Sequence, residues 1–166
     1  MTNLNDLKIV PIHDIPKATD APLDDPLKVY ALCNKMETLC NKLQGVGLSA
    51  VQVGIPLNVC IVKNLGKYEC FVNCNYIGIG DKVKSIEGCL SILNEEGKPR
   101  QFELERYPSI AVNGYMLRFT NEIPYINFYE IKNYNYHGFH SVVIQHELDH
   151  ANNILISDIG KEIRVW

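Results

Sequence analysis

The sequence contains no long apolar run. A helix that spans a membrane needs about 18 to 20 consecutive apolar residues, and no such stretch occurs in this chain. We therefore expect no membrane partner. No internal repeat or low-complexity tract divides the chain either. With 166 residues, 46% of them hydrophobic, it is long enough to bury one substantial core, and we expect a single domain over residues 1–166.

Excess positive charge is also lacking. The chain has 16 Lys and Arg against 19 Asp and Glu, a net charge of -3 and a pI near 5.9. This balance offers no attraction to a polyanion, so we expect no direct nucleic-acid binding. The first residues show neither the basic nor the apolar stretch of an export signal. We expect a protein of the bacterial or host-cell cytoplasm, with an organelle left open, and six reduced cysteines.

Apolar periodicity and capping residues predict two helices. Asp25 can cap the first helix, Pro26 suits its first turn, and Gly45 suits a left-handed end. The second helix is predicted over residues 137–152. Alternating or β-branched runs predict strands over residues 57–63, 69–74, 110–119 and 125–132. These elements together predict an α+β fold in which mixed, mainly antiparallel sheets surround the second helix.

The second helix carries the segment Gln145-His-Glu-Leu-Asp-His150. H-E-x-x-H on a helix places two imidazoles, here His146 and His150, on one face beside a carboxylate, and this arrangement predicts a divalent-metal site. Since the sequence ends soon after His150, we expect the third ligand to come from upstream, with Cys89 as the best candidate. Three ligands leave one coordination position for water. Glu147 is then placed to act as general base and later as general acid.

Two further segments agree with this interpretation, Gly45-Val-Gly-Leu-Ser-Ala-Val-Gln52 and Glu87-Gly-Cys-Leu-Ser91. Together with residues 145–150, in this order, they resemble the three signature motifs of the peptide deformylase family. The resemblance implies that Cys89, His146 and His150 bind the metal and that Glu147 is the general acid/base. It also implies that the side-chain amide of Gln52 and the backbone N–H of Leu90 stabilise the oxyanion.

The implied activity is hydrolysis of the N-formyl group from N-formylmethionyl nascent peptides by water that the metal activates. Family substrates bind as an added strand, so the main chain should contact the peptide, and apolar side chains should surround the methionine. The positions implied for substrate binding are Val46, Gly47, Ile86, Gly88, Phe139, Val142 and Val143. One divalent ion per chain is implied, iron(II) physiologically, while zinc, nickel or cobalt also suit a Cys/His/His set.

The sequence departs from the family pattern at three places. Ser49 stands where alanine is usual, and residues 93–96 replace a common proline and glycine. Little chain follows Asp158, so the sequence resembles a short form without the long C-terminal helix that many bacterial members use to dock on the ribosome. A transient ribosome contact is therefore left open. Glu87 is expected to be a buried carboxylate that orients its loop, through Arg106, and Asp149 to anchor the helix.

Three other functions compete with deformylation. A zinc peptidase shares H-E-x-x-H, but Asn153 and Ile156 occupy the Gly and His positions of its longer motif. A nucleotide-binding module would use residues 45–50 as G-x-G-x-x-A, but that fingerprint must follow a strand and open a helix. A non-catalytic metal-binding domain would need neither Gln52 nor Glu147.

Overall fold

The computed structural model describes residues 7–119 and 125–163. Three α-helices and eight β-strands are found in this part of the chain. The helices are α1 (Pro26–Lys42), α2 (Gly138–Ala151) and the short α3 (Ile156–Ile159). The strands are β1 (Gly47–Ser49), β2 (Val59–Asn64), β3 (Lys67–Ile79), β4 (Val83–Leu93), β5 (Pro99–Arg106), β6 (Ser109–Phe119), β7 (Ile126–His137) and β8 (Lys161–Ile163).

The strands form two antiparallel sheets. The larger sheet has the order β1-β2-β3-β6-β7, and the smaller one has the order β4-β5-β8. Among the described residues, parallel pairing is confined to an isolated bridge between Thr19 and Leu57. Helix α2 contacts β1, β2, β3, β6 and β7 of the larger sheet, while β4 of the smaller sheet approaches it through Cys89 and Glu87. The predicted α+β fold around α2 is thus confirmed.

Local physics explains where the helices begin and end. The Asp25 side chain accepts a hydrogen bond from the Lys28 N–H at 3.0 Å, so it caps α1 as predicted. The prediction for Gly45 is wrong by one residue, because Gln44 takes the left-handed conformation with φ of 56°. Gly45 is needed for space instead, since a Cβ there would lie 2.9 Å from both Cys40 Sγ and Leu90 Cδ1.

The four predicted strands are confirmed as β2, β3, β6 and β7, with shifted bounds. Strands β1, β4, β5 and β8 were not predicted. Strand β5 had a readable signal, because Phe102, Leu104 and Arg106 alternate on its buried face. Strand β4 had a weaker one, since its buried positions include the polar Glu87. A turn at residues 94–98 joins these two strands as a hairpin.

The core has three apolar clusters. The first lies between α1 and the larger sheet, around Met36 and Leu48. The second lies between that sheet and α2, around Phe71 and Ile144. The third is small, and it places Cys89 beside Phe102. Among the described residues, no helix combines the length and the apolar character needed to cross a bilayer.

The cysteines differ from the expectation in one respect. Cys33 on α1 and Cys70 on β3 are paired as a disulfide, so the expectation of six reduced cysteines is wrong for these two. Their positions explain the pairing, because α1 packs on the larger sheet and brings both side chains into the same apolar cluster. Cys40, Cys60, Cys74 and Cys89 are free and buried.

Candidate active site

Helix α2 buries its polar side chains. Its buried residues run continuously from Val143 to Ala151, and five of them are Gln145, His146, Glu147, Asp149 and His150. Burial of a polar group is costly unless a partner replaces water. The Gln145 amide shows one solution, since it accepts from the Tyr107 N–H at 3.1 Å and donates to the Tyr107 carbonyl at 2.8 Å. This pair ties α2 to the connection between β5 and β6.

Cys89, His146 and His150 converge on one point. A ligand atom from each of the three side chains lies within 4.8 Å of the others, and Cys89 Sγ is 3.4 Å from His150 Nε2. The two histidines are one helical turn apart, with ring centroids separated by 4.9 Å. A tetrahedral ion bound at about 2.0–2.3 Å from nitrogen and sulfur donors needs such a spacing. The three residues therefore fit a single metal ion.

Glu87 orients one of these imidazoles. Its carboxylate oxygen Oε2 lies 2.9 Å from His146 Nδ1, which donates to it, so Nε2 of that ring faces the convergence point. Arg106 donates to both carboxylate oxygens of Glu87, at 2.9 and 3.1 Å. Burial raises the pKa of Glu87, but the hydrogen bonds from His146 and Arg106 outweigh it and lower the pKa to about 2. The expected pairing of Glu87 with Arg106 is confirmed.

The two imidazoles differ in their preference for protons. Burial lowers the pKa of His150 well below its usual value, and the neighbouring His146 lowers it further. Burial also opposes protonation of His146, but hydrogen bonds to Cys89 and Glu87 raise its pKa to about 10. A metal ion binds neutral imidazole, so a bound ion would favour the neutral form of both rings.

Glu147 lies beside this cluster without a hydrogen bond to its buried Oε2 among the described residues. A Cβ on Gly47 would lie 2.5 Å from the Oε1 of Glu147, so only glycine allows β1 to pass this closely. Burial is the largest cause that raises the pKa of Glu147, to about 7, with the positive charge of His146 opposing it. A carboxyl group with such a pKa can accept and return a proton near neutral pH.

The amide of Gln52 has a fixed orientation. Its Oε1 accepts from the Ser49 N–H at 2.9 Å, and its Nε2 donates to Ser91 Oγ at 2.9 Å. The same Nε2 lies 3.5 Å from Cys89 Sγ. The donor side of the amide is thus directed at the cluster. Leu90 follows Cys89 on β4, and both Leu90 and Gln52 line a cavity beside the cluster.

A cavity of about 340 Å³ opens above the cluster. All seven positions that were expected to bind substrate line it. Val143 forms part of the buried wall, whereas Val46, Ile86 and Phe139 are exposed. The helical spacing places Phe139 on the same side of α2 as Val143 and His146, but Phe139 is 70% exposed whereas those two residues are buried. The sequence analysis did not predict four other residues that line the cavity, namely Gln44, Ser85, Pro99 and Gln101.

Comparison with known proteins decides the family. A sequence model of the polypeptide deformylase family matches residues 15–165. The chain belongs to the polypeptide deformylase family. It is 33% identical over 141 residues to the peptide deformylase of Helicobacter pylori strain G27, a match that covers 79% of this chain and 71% of that protein. It is 29% identical over 161 residues to that of Aquifex aeolicus, with 93% and 86% covered.

Solved deformylase structures have the same fold. A class I type b peptide deformylase from Acinetobacter baumannii superimposes with a TM-score of 0.73 at 25% identity, covering 92% of this chain and 97% of that one. A probable peptide deformylase from Synechococcus phage S-SSM7 gives a TM-score of 0.75 at 26% identity, with 93% and 99% covered. The Plasmodium falciparum enzyme in complex with inhibitor gives 0.72 at 27% identity, with 93% and 89% covered.

Membership in the deformylase family makes the chain an enzyme. Deformylases hydrolyse the N-formyl group of formylated nascent peptides, and the family depends on a metal ion. The zinc-peptidase alternative is not favoured. A nucleotide fingerprint at residues 45–50 is wrong in context as well, because these residues run from α1 into β1 and not from a strand into a helix.

Proposed function

We propose that this deformylase acts on N-formylmethionyl peptides and holds one divalent ion through Cys89, His146 and His150. The observation that carries the proposal is the convergence of one sulfur and two ring nitrogens within 4.8 Å, beside a cavity of about 340 Å³. One thiolate and two imidazoles suit iron, zinc, nickel and cobalt. We take iron(II) as the physiological ion, as the family resemblance implies. When bound, the ion supplies a Lewis acid that polarises the formyl carbonyl and activates water.

Glu147 moves the proton in this proposal. Glu147 is buried next to His146, lies against Gly47 and lines the cavity. It takes a proton from the attacking water and delivers it to the leaving amine of the methionine. The pKa of about 7 suits both halves of this cycle, because neither transfer is strongly uphill near neutral pH.

Gln52 and Leu90 stabilise the oxyanion. As the formyl carbon becomes tetrahedral, negative charge develops on its oxygen, and fixed donors aimed at that oxygen lower the barrier. The Nε2 of Gln52 has this fixed direction because Ser49 and Ser91 hold the amide at both ends. The Leu90 backbone N–H is the second donor, directly after Cys89.

The peptide lies along the cavity as an added strand. We assign its main-chain contacts to Val46 and Gly47, at the start of β1, and to Gly88 on β4, which all line the cavity. Strand β1 lies at the edge of the larger sheet, so a peptide can pair with its open side. The methionine side chain then contacts an apolar wall formed by Ile86, Phe139, Val142 and Val143. An unbranched thioether fits such a wall well.

We place this activity in the cytoplasm, where nascent chains emerge from ribosomes, and we keep a transient ribosome contact as part of the proposal. The substrates of the family are nascent peptides, and this supports both parts of the proposal.

The test is metal content together with formate release from a formyl-Met peptide. The metal-loaded protein should release formate, and Cys89→Ala should lose more than about 100-fold in metal affinity, because loss of a ligand costs more than loss of a partner behind a ligand. Cys74→Ala is the matched control, since Cys74 is another free, buried cysteine that lies outside the cluster. Stoichiometric metal in purified Cys89→Ala would contradict the ligand assignment.

A further inference from the structure

A continuous series of hydrogen bonds runs from β3 to the three proposed metal ligands, Cys89, His146 and His150. The hydroxyl of Tyr76 donates to Asp149 Oδ1 at 3.0 Å. The other oxygen of Asp149 accepts from Arg106. Arg106 donates to both oxygens of Glu87, and Glu87 accepts from His146 Nδ1 at 2.9 Å. Four hydrogen-bonded links therefore separate a strand tyrosine from a proposed metal ligand.

The hydrogen-bonded series contains more negative than positive charge, so it needs hydrogen-bond donors at both of its ends. One guanidinium faces two carboxylates, and Arg106, Glu87 and Asp149 are all buried. The three groups together carry one excess negative charge. Burial of a charge is costly unless hydrogen bonds replace those that water would make. His146 supplies a donor at one end, and Tyr76 supplies a donor at the other. An apolar side chain of similar shape in place of Tyr76 would leave Asp149 Oδ1 without this donor.

Loss of the hydrogen bond from Tyr76 would affect the proposed metal ligands through Arg106. Asp149 and Glu87 compete for the same planar guanidinium, whose donors have a fixed geometry. If Asp149 Oδ1 lost its partner, the guanidinium would be drawn toward Asp149 and away from Glu87. Glu87 would then hold the His146 ring less firmly, and groups behind a metal ligand set both its direction and its basicity.

We propose that Tyr76 is a positioning residue of the metal centre, which holds the ring of His146 in its ligating orientation through Asp149, Arg106 and Glu87. The inference rests on the ligand role of His146 in the proposed function. It differs from a packing role, in which the ring of Tyr76 would only contribute to the cluster around Phe71. The two roles make different predictions for removal of the hydroxyl alone.

The test is Tyr76→Phe in the full chain, with cobalt(II) as the probe. We expect the dissociation constant for cobalt to rise about 10-fold, as for other groups that orient a ligand, and the visible absorption bands of the cobalt-loaded protein to shift. In formyl-Met hydrolysis, kcat should fall while KM for the peptide stays unchanged. Tyr136→Phe is the matched control, because its buried hydroxyl bonds only weakly to Met116 Sδ, at 3.6 Å, in the same apolar cluster.

A double-mutant cycle shows whether the effect passes through Asp149. In an Asp149→Asn background, Tyr76→Phe should change cobalt affinity by less than about twofold, because coupled residues are not additive. Unchanged affinity and spectrum in Tyr76→Phe would overturn the proposal, as would a full effect in the Asp149→Asn background. Should Tyr76→Phe not fold, unchanged cobalt affinity in Asp149→Asn would overturn it instead. If the loaded wild-type protein releases no formate, the proposed function fails, while the cobalt measurements still decide the role of Tyr76.

Discussion

Helices α1 and α2 have similar lengths, 17 and 14 residues, but they bury different kinds of side chain. The buried side of α1 consists of Val29, Leu32, Cys33, Met36 and Cys40, which are all apolar or sulfur-containing. The buried side of α2 includes six polar or ionisable side chains in addition to its aliphatic residues. Both helices lie against the larger sheet. The difference arises because α2 also contacts charged residues of the smaller sheet, namely Glu87 and Arg106.

The difference teaches which contacts tolerate substitution. Apolar burial is non-directional and depends on area and shape, so α1 needs residues of suitable volume. Buried polar groups of α2 depend on particular partners at particular distances, such as Arg106 for Asp149 or the Tyr107 backbone for Gln145. Helix α2 therefore carries most of the proposed site, and α1 packs against the sheet on which α2 lies.

The largest effect should come from a change on α2 that preserves its shape. Glu147→Gln keeps the size of the side chain but removes the proton acceptor, so kcat should fall by about 10²- to 10⁴-fold. Metal content should stay stoichiometric, because Glu147 is not among the three converging ligand atoms. Steady-state kinetics and metal analysis on the same sample measure both. Full turnover by this variant would remove Glu147 from the mechanism.

The next effect concerns stability. Arg106→Met leaves Glu87 and Asp149 buried without their common cation, and breaking such a group should lower the free energy of unfolding by about 3–5 kcal/mol. Denaturant unfolding of the metal-free protein is the measurement. Arg100→Met is the control, since Arg100 pairs with Glu162 in an exposed ion pair and should change stability little. If both variants lost the same free energy of unfolding, the buried ion pairs of Arg106 would contribute no more to stability than the exposed pair of Arg100.

The smallest effect should come from α1. Met36 is fully buried in the first apolar cluster, and Met36→Leu nearly conserves volume. We expect a loss of less than about 1.5 kcal/mol in the free energy of unfolding, with unchanged kcat and metal affinity. The same unfolding assay, run beside the kinetic assay, tests this. A drop in kcat with intact stability would mean that α1 also shapes the active site, and the contrast between the two helices would be lost.

Much of the proposed site was predictable because its signals are local. The spacing of His146 and His150 places both rings on one helical face whatever surrounds the helix. The segment around Cys89 was found by resemblance, and the structure brings its sulfur to His150. The partners were harder to predict. Glu87 was expected to pair with Arg106, but its bond to His146 was not foreseen, since the two residues are 59 positions apart.

The amino-acid order by itself determined the two helices, four of the strands and the face that carries His146 and His150, because caps and side-chain periods act over a few residues. Tertiary structure alone decided that β4 and β5 form a separate sheet and that Phe139 faces solvent. It also decided that Tyr76 reaches Asp149, 73 positions away. Such contacts depend on how distant segments pack, and a tyrosine in a strand shows no local sign of the carboxylate it will meet.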